Sequence, residues 1–515
     1  MSVGGAAPPL RPPTAEEIDH LARLDGIELE SGEAGRLAPV IATLTTFQDL
    51  LDRLEGELAL PSPPRRDPGY VPQPEDNPFN SFVRRCHVEG ARDGLLAGST
   101  VGLKDNIALA GVPTTNGSRL TSYTPAHDAV VVERILAAGG TIVGKLNMDD
   151  FGASGLGETS AFGPALNPID TTRSAGGSSG GSGSAVRSGE VDLSLGVDQG
   201  GSGRIPASFC GVVAVQPTHG LVPSWGVTHI DHTIDFVTPL ARTVEGAARL
   251  LGVIAGGDWR DPQWVRAQPQ PADYLRSQEE GVAGLRGGVV LECVYPGVCD
   301  GGVIENLRSA AAALRGEGAV VGEVSLPLWR DGLALFLPYI GHLFSDIFRS
   351  EGQGTGHLGV YDPQAMDAFA RTRRSESVLL ASQVKSWLIA DRYVHERYFG
   401  VPYARLHNAR LALRQQITVC LEQWDALLTP TLPMTAPKLL IGDVDFAEVS
   451  ERTAARLCYN TAPLNLSGHP AISVPSGVDE TGLPTGAQIV SSHFADGTAF
   501  RAAFALERAT GPFVP

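Results

Sequence analysis

The stretch STVGLKDNIAL at residues 99–109, followed by DAVVVERILAAGG at 128–140 and TIVGKLN at 141–147, decides how the chain reads. The outer two are short apolar runs broken by glycine, and the middle one carries apolar residues at helical spacing. Strand, helix, strand in that order is an α/β unit, and it predicts a central mixed β-sheet covered by helices on both faces. The alternation returns downstream: GLRGGVVLECV (284–294) reads as strand, IENLRSAAAALRGEGA (304–319) as helix and VVGEVSL (320–326) as strand. Residues 329–416 read as mainly helical and rich in aromatics, and the chain closes with GHPAISVPSGV, GAQIVSSHF and the helix TAFRAAFALERAT.

Upstream of the sheet, Thr14 followed three residues later by Glu17 is the capping-box pattern, with Ile18, Leu21 and Leu24 at helical spacing. A second helix is expected over AGRLAPVIATLTTFQDLLDRLEGEL (34–58), ahead of a proline-rich connector, SPPRRDPGYVPQPEDNPFN (62–80). The expected organisation is therefore a helical extension and connector over 1–70, then a catalytic domain over 71–515 with a helical pocket-forming insertion at 329–416.

Forty basic residues stand against 57 acidic ones, a formal charge of −17, which argues against duplex nucleic acid or an anionic membrane as principal partner. A small or neutral substrate fits better. The start, MSVGGAAPPLRPPTAEE, has no basic segment leading into an apolar one, and no run of about 18 apolar residues occurs, so the expected compartment is cytoplasmic. Six cysteines form no CxxC and no Cys/His cluster at metal spacing, so reduced thiols, no metal and no cofactor are expected.

The glycine- and serine-dominated region at 165–225 holds the chemistry. Its composition resembles a flexible linker, but VDLSLGVD and FCGVVAVQP interrupt it with apolar runs. A phosphate loop needs a lysine after its glycines, and none occurs from 146 to 285. The GxSxG elbow is matched by Gly176, Ser178 and Gly180, yet in a run written GGSSGGSGS such a match follows from composition, and the acid and histidine it requires have no marked candidates.

Lys104 in VGLKDNIAL, Ser178 in AGGSSGGS and Ser202 in VDQGGSGR form a set that resembles the amidase signature family of Ser-Ser-Lys hydrolases. GVPTTNGSRL, GKLNMDDFGAS, TSAFGPALNP, FCGVVAVQPTHGLVP, DALLTPTLP and NLSGHPAISVP carry the likeness from about 70 to 510. It implies Ser202 as nucleophile, Ser178 as a bridging serine with a cis peptide, and Lys104 as base. The chemistry is coherent, because a serine hydroxyl needs a neighbouring base and a lysine serves once burial lowers its pKa. Gly200 and Gly201 would let consecutive amides of Gln199, Gly200, Gly201 and Ser202 point at one oxyanion. Asp198 and Arg204 would brace that turn as an ion pair, Asp105 and Asn106 would fix the lysine's backbone, and Ser179, His232, Phe336, Tyr339, Phe344 and Trp387 would line the substrate pocket. Two positions depart from the family pattern: Gly203 stands where an aliphatic residue is usual, and Gln216 where many members have lysine.

The resemblance implies an amidase that hydrolyses aliphatic or aromatic carboxylic acid amides, with anilides, carbamates and esters as further substrates, through a seryl acyl-enzyme. THIDHTIDFVTPLART, LGVYDPQAMDAFARTR and NTAPLNLSGHPAISVPSG look closest to bacterial enantioselective or broad-range amidases. The family also implies a homodimer. The alternative is the glutaminase component of a tRNA-dependent amidotransferase, which GKLNMDDFGASGLGETSAFGPALNP resembles, although THIDHTIDFVTPLART lacks the SLDQIGP-like wording expected there. A non-enzymatic scaffold is disfavoured by the intact lysine and serines.

Overall fold

A computed structural model describes residues 11–54, 65–120, 122–263, 273–295, 297–440, 456–511 and 513. The chain forms two compact units, residues 1–62 and 63–515. In the first, α1 (Ala15–Leu24) starts on the expected reciprocal cap, with Thr14 Oγ1 accepting from the Glu17 amide and Glu17 accepting from the Thr14 amide at 2.7 Å. The single helix expected over 34–58 is two, α2 (Glu33–Thr45) and α3 (Gln48–Leu54), and residues 55–58 lie outside the described residues. The break falls at Thr46, which leaves helical geometry, while the Thr45 and Thr46 hydroxyls bond back to the Ile41 and Ala42 carbonyls, each at 2.8 Å.

The second unit is built on one eleven-stranded mixed sheet. Its strands are β1 (Phe82–Val88), β2 (Thr100–Lys104), β3 (Thr141–Leu146), β4 (Leu193–Asp198), β5 (Val213–Gln216), β6 (Phe236–Ala241), β7 (Arg286–Val290), β8 (Val320–Val324), β9 (Ala426–Pro430), β10 (Ala471–Val478) and β11 (Pro484–Val490). They lie in the order β1-β3-β2-β4-β6-β5-β10-β11-β9-β7-β8. The central strands are buried along their whole length, as a sheet covered on both faces requires. β1, FVRRCHV, escapes sequence reading because its arginines hide the strand pattern; it is an edge strand antiparallel to β3. Arg66 pairs with Asp128 at 2.5 Å and Tyr70 bridges Arg85, so this end of the proline-rich connector belongs to the second unit.

The helices that follow are α4 (Val130–Ala137), α5 (Gly180–Ser188), α6 (Arg204–Cys210), α7 (Val244–Ile254), α8 (Ser277–Glu280), α9 (Gly301–Gly316), α10 (Gly332–Arg349), α11 (Pro363–Glu376), α12 (Ser382–Tyr398), α13 (Val401–Leu421), α14 (Ala462–Ser467) and α15 (Asp496–Thr510). One apolar core joins β2, β4, β5 and β10 to α4, α7, α9 and α15. A second packs α10, α13 and α14 around Phe336, Tyr339, Phe344, Leu413 and Leu464. The Ser202 turn lies at the edge of this second core, where Phe336 stands against Gly200.

Candidate active site

β2 and β4 are parallel neighbours, pairing Gly102 with Ser194 and Leu103 with Leu195, so their carboxyl ends emerge together. Lys104 is the last residue of β2, and residues 199–203 form the turn between β4 and α6. The Gly-Ser run brings Ser178 alongside, just before α5. It holds glycine because backbone passes close to backbone there: a Cβ on Gly181 would come within 2.5 Å of the Asn147 amide nitrogen. The Gly177–Ser178 peptide is cis.

Lys104 is fully buried, and its Nζ lies 2.7 Å from Ser178 Oγ and 3.0 Å from the Val197 carbonyl oxygen. Burial lowers its pKa from 10.5 to about 7, against the opposing attraction of Asp149, Asp198 and Asp235. Asp149 received no role in the sequence reading because no spacing marks it. It is wholly buried, accepts from the Gly157 and Thr159 amides at 3.1 and 3.0 Å, and donates its own amide to the Ser178 carbonyl at 3.2 Å. Burial raises its pKa more than those hydrogen bonds and Lys104 lower it.

Asp198 and Arg204 are both fully buried and meet through two hydrogen bonds of 3.0 Å. Asp198 also accepts from the amides of Gly201 at 2.7 Å, Gly203 at 3.1 Å and Arg204 at 3.2 Å, which fastens the turn from inside. Burial would raise its pKa, but Arg204, Asn465 and the turn amides outweigh this and lower it. Arg204 gives its remaining donors to Gln488 and Asn465, residues distant in sequence that no local motif reveals.

The Gly201 amide is thus committed to Asp198 and is no free oxyanion donor. The amides of Gln199, Gly200 and Ser202 donate to no described protein group. Ser202 lines a cavity of about 310 Å³ whose other walls include Gly152, Ile205, Phe336, Leu337, Ile340, Trp387 and Cys458. None of its described lining residues is charged.

Of the expected pocket residues, Phe336 and Trp387 line this cavity and four do not. Ser179 is fully buried, its hydroxyl bonded to the backbone of Val197 in β4. Tyr339 turns into the helical core and meets His407 at 3.1 Å, and Phe344 stacks on Phe348 at 4.7 Å, because one face of α10 must pack inward. His232 lines a separate cavity with His229 and His357, where burial lowers its pKa to about 3.

Asp105 forms a fully buried ion pair with Lys145 at 3.1 Å and accepts from the Thr115 amide at 2.9 Å, while Asn106 donates to the Thr228 carbonyl at 3.0 Å. Gly203 is explained by Thr238, whose Cγ2 would lie 2.5 Å from an added Cβ. Gln216 donates to the His469 carbonyl at 2.8 Å, holding β5 to the end of the α14 loop. Among the described residues no three His, Cys, Asp or Glu side chains are grouped to hold a metal, and no helix is long and apolar enough to cross a membrane.

The buried Lys104 bonds Ser178, and the next residue, Ser179, donates its amide to the Ser202 carbonyl at 3.1 Å, which ties the Gly-Ser run to the glycine turn at the carboxyl ends of the strands. Residues 83–500 match the family model described as Amidase, and the chain belongs to the amidase signature family. It is an enzyme of the amidase class. A glutamyl-tRNA(Gln) amidotransferase subunit of Halobacterium salinarum is 41% identical, over 84% of this chain and 100% of that protein. An enantioselective amidase of Rhodococcus rhodochrous is 36% identical, over 98% of this chain and 97% of that protein. The crystal structure of the corresponding amidotransferase subunit of Thermotoga maritima superposes with a TM-score of 0.70 at 34% identity, covering 84% of this chain and 88% of that one.

Proposed function

We propose that the chain is an amidase that hydrolyses primary amides of apolar carboxylic acids to the acid and ammonia through an acyl-enzyme on Ser202. The observation that carries this reading is the uncharged, largely apolar cavity over Ser202, whose carbonyl accepts from the amide of Ser179, the residue that follows the Lys104-bonded Ser178. Lys104, neutral above about pH 7, takes the Ser178 proton as Ser178 takes that of Ser202, and Ser202 Oγ attacks the amide carbon. The oxyanion is held by the free amides of Gln199, Gly200 and Ser202, each such donor contributing about 3 kcal/mol. The proton returns through Ser178 to the departing nitrogen, the C–N bond breaks, and water repeats the sequence on the ester to release the acid. Asp198 and Arg204 keep the turn rigid, and Asp149 holds the backbone of Ser178.

The second reading is the glutaminase component of an amidotransferase, and the higher identity to the amidotransferase proteins favours it. Glutamine carries an ammonium and a carboxylate, each of which needs a charged or strongly polar partner when taken from water. The described cavity walls offer no charged group, only the amides of Gln199 and Gln383 and the hydroxyls of Ser154, Ser202 and Ser386, and the alignment with the enantioselective amidase spans the N-terminal unit as well.

Ammonia release by the purified chain on aliphatic amides, aromatic amides and glutamine separates the two. Turnover of apolar amides without any partner is expected. Turnover of glutamine alone, or none until the other amidotransferase proteins are added, would transfer the assignment to the second reading.

A further inference from the structure

The cavity over Ser202 has an apolar neighbour behind Leu337, Trp387 and Ala390. A second cavity of about 220 Å³, between α10, α12 and the start of α13, shares Leu337, Trp387 and Ala390 with it. Its remaining walls are largely apolar, and Phe399 at its rim is 70% exposed. Of its polar lining, His342 and Asp391 bond each other at 2.7 Å and Asp391 also pairs with Arg349 at 2.6 Å, while His395 and Tyr403 complete the wall. The one carboxylate of this chamber is already paired, and its apolar walls offer ample surface to an apolar ligand.

We propose that the two cavities form one acyl channel, with the carbonyl at Ser202 and an extended tail running past Leu337 and Trp387 into the second chamber. The substrate class is then primary amides of long-chain or arylalkyl carboxylic acids rather than compact ones. This rests on the amidase reading, in which ammonia leaves and the acyl group is the only large part of the substrate. Each methylene drawn from water into the channel improves transition-state binding about fourfold.

Gly341 gives a clean test. It lines the second chamber and not the first, and a Cβ there would meet nothing within 4 Å, so a large side chain has chamber space to fill. kcat/KM is measured for butanamide, hexanamide, octanamide and decanamide with the parent, Gly341→Phe and Gly341→Ala. The parent should gain about fourfold per methylene through decanamide. Gly341→Phe should keep the parent's melting temperature but lose the gain for the longer amides, so that its decanamide-to-butanamide ratio of kcat/KM falls, and Gly341→Ala should follow the parent. A parent series that is flat beyond butanamide, or an unchanged decanamide-to-butanamide ratio in Gly341→Phe, overturns the channel while leaving the amidase reading intact. If no amide is turned over, the amidase reading fails, and calorimetric titration of the same amides into Ser202→Ala decides the channel separately. A chain-length gain in affinity abolished by Gly341→Phe supports it, and equal affinities along the series overturn it.

Discussion

Replacing Lys104 by methionine should make the protein more stable at neutral pH while abolishing its activity. The ammonium is disfavoured at this site: burial takes its pKa from 10.5 to about 7, a difference that corresponds to roughly 5 kcal/mol. The folded-state pKa lies below the unfolded one, so the unfolded chain binds the extra proton. The penalty is therefore fully present below about pH 7 and is relieved as pH rises from 7 toward 10.5. Methionine removes the titrating group but leaves the Ser178 hydroxyl without its partner, which costs about 1–3 kcal/mol. The variant should gain about 2–4 kcal/mol at pH 7, and that advantage should shrink by about 1.4 kcal/mol per pH unit up to pH 9. Urea unfolding of parent and variant at pH 6, 7, 8 and 9 measures the difference, in which titrations common to both cancel. An advantage independent of pH across this range would mean that Lys104 keeps an ordinary pKa, and the base assignment would lose its footing.

The same pKa places the acid limb of the activity profile: kcat/KM should fall tenfold per unit below about pH 7, and a limb centred near pH 5 would point to a carboxylate base. Arg204→Met leaves Asp198 buried without its partner and should cost about 3–5 kcal/mol in urea unfolding; unchanged stability would contradict the bracing role. Gly200→Ala forces a Cβ against the buried Phe336 ring and displaces the free Gly200 amide, so kcat should drop about a hundredfold, with about 1–3 kcal/mol of stability lost to the overpacking. An unaltered kcat would remove Gly200 from the oxyanion site.

The approach of Lys104 to Ser178 was legible because each sits in a short local motif, and the Ser202 turn comes to the same end of the sheet because parallel β2 and β4 end together. The α/β alternation was legible for the same reason, since β2, α4 and β3 are successive local patterns. What escaped depends on contacts remote in sequence. Asp149, Asn465 and Gln488 act through backbone and side chains brought together only by the sheet. The pocket aromatics were sorted wrongly because α10 shows apolar residues on more than one face. Phe336 faces Gly200, whereas Tyr339 and Phe344, three and eight residues on, turn into the helical core. Gly201 was misjudged for a different reason, because glycine signals a free amide and not which acceptor already holds it.

The most direct test of the central claim is to quench the enzyme in acid during turnover of an apolar amide and locate the acyl group by peptide mass spectrometry. The acyl mass is expected on the peptide containing Ser202, absent in Ser202→Ala. An acyl group on Ser178 or elsewhere, or continued turnover by Ser202→Ala, would contradict it.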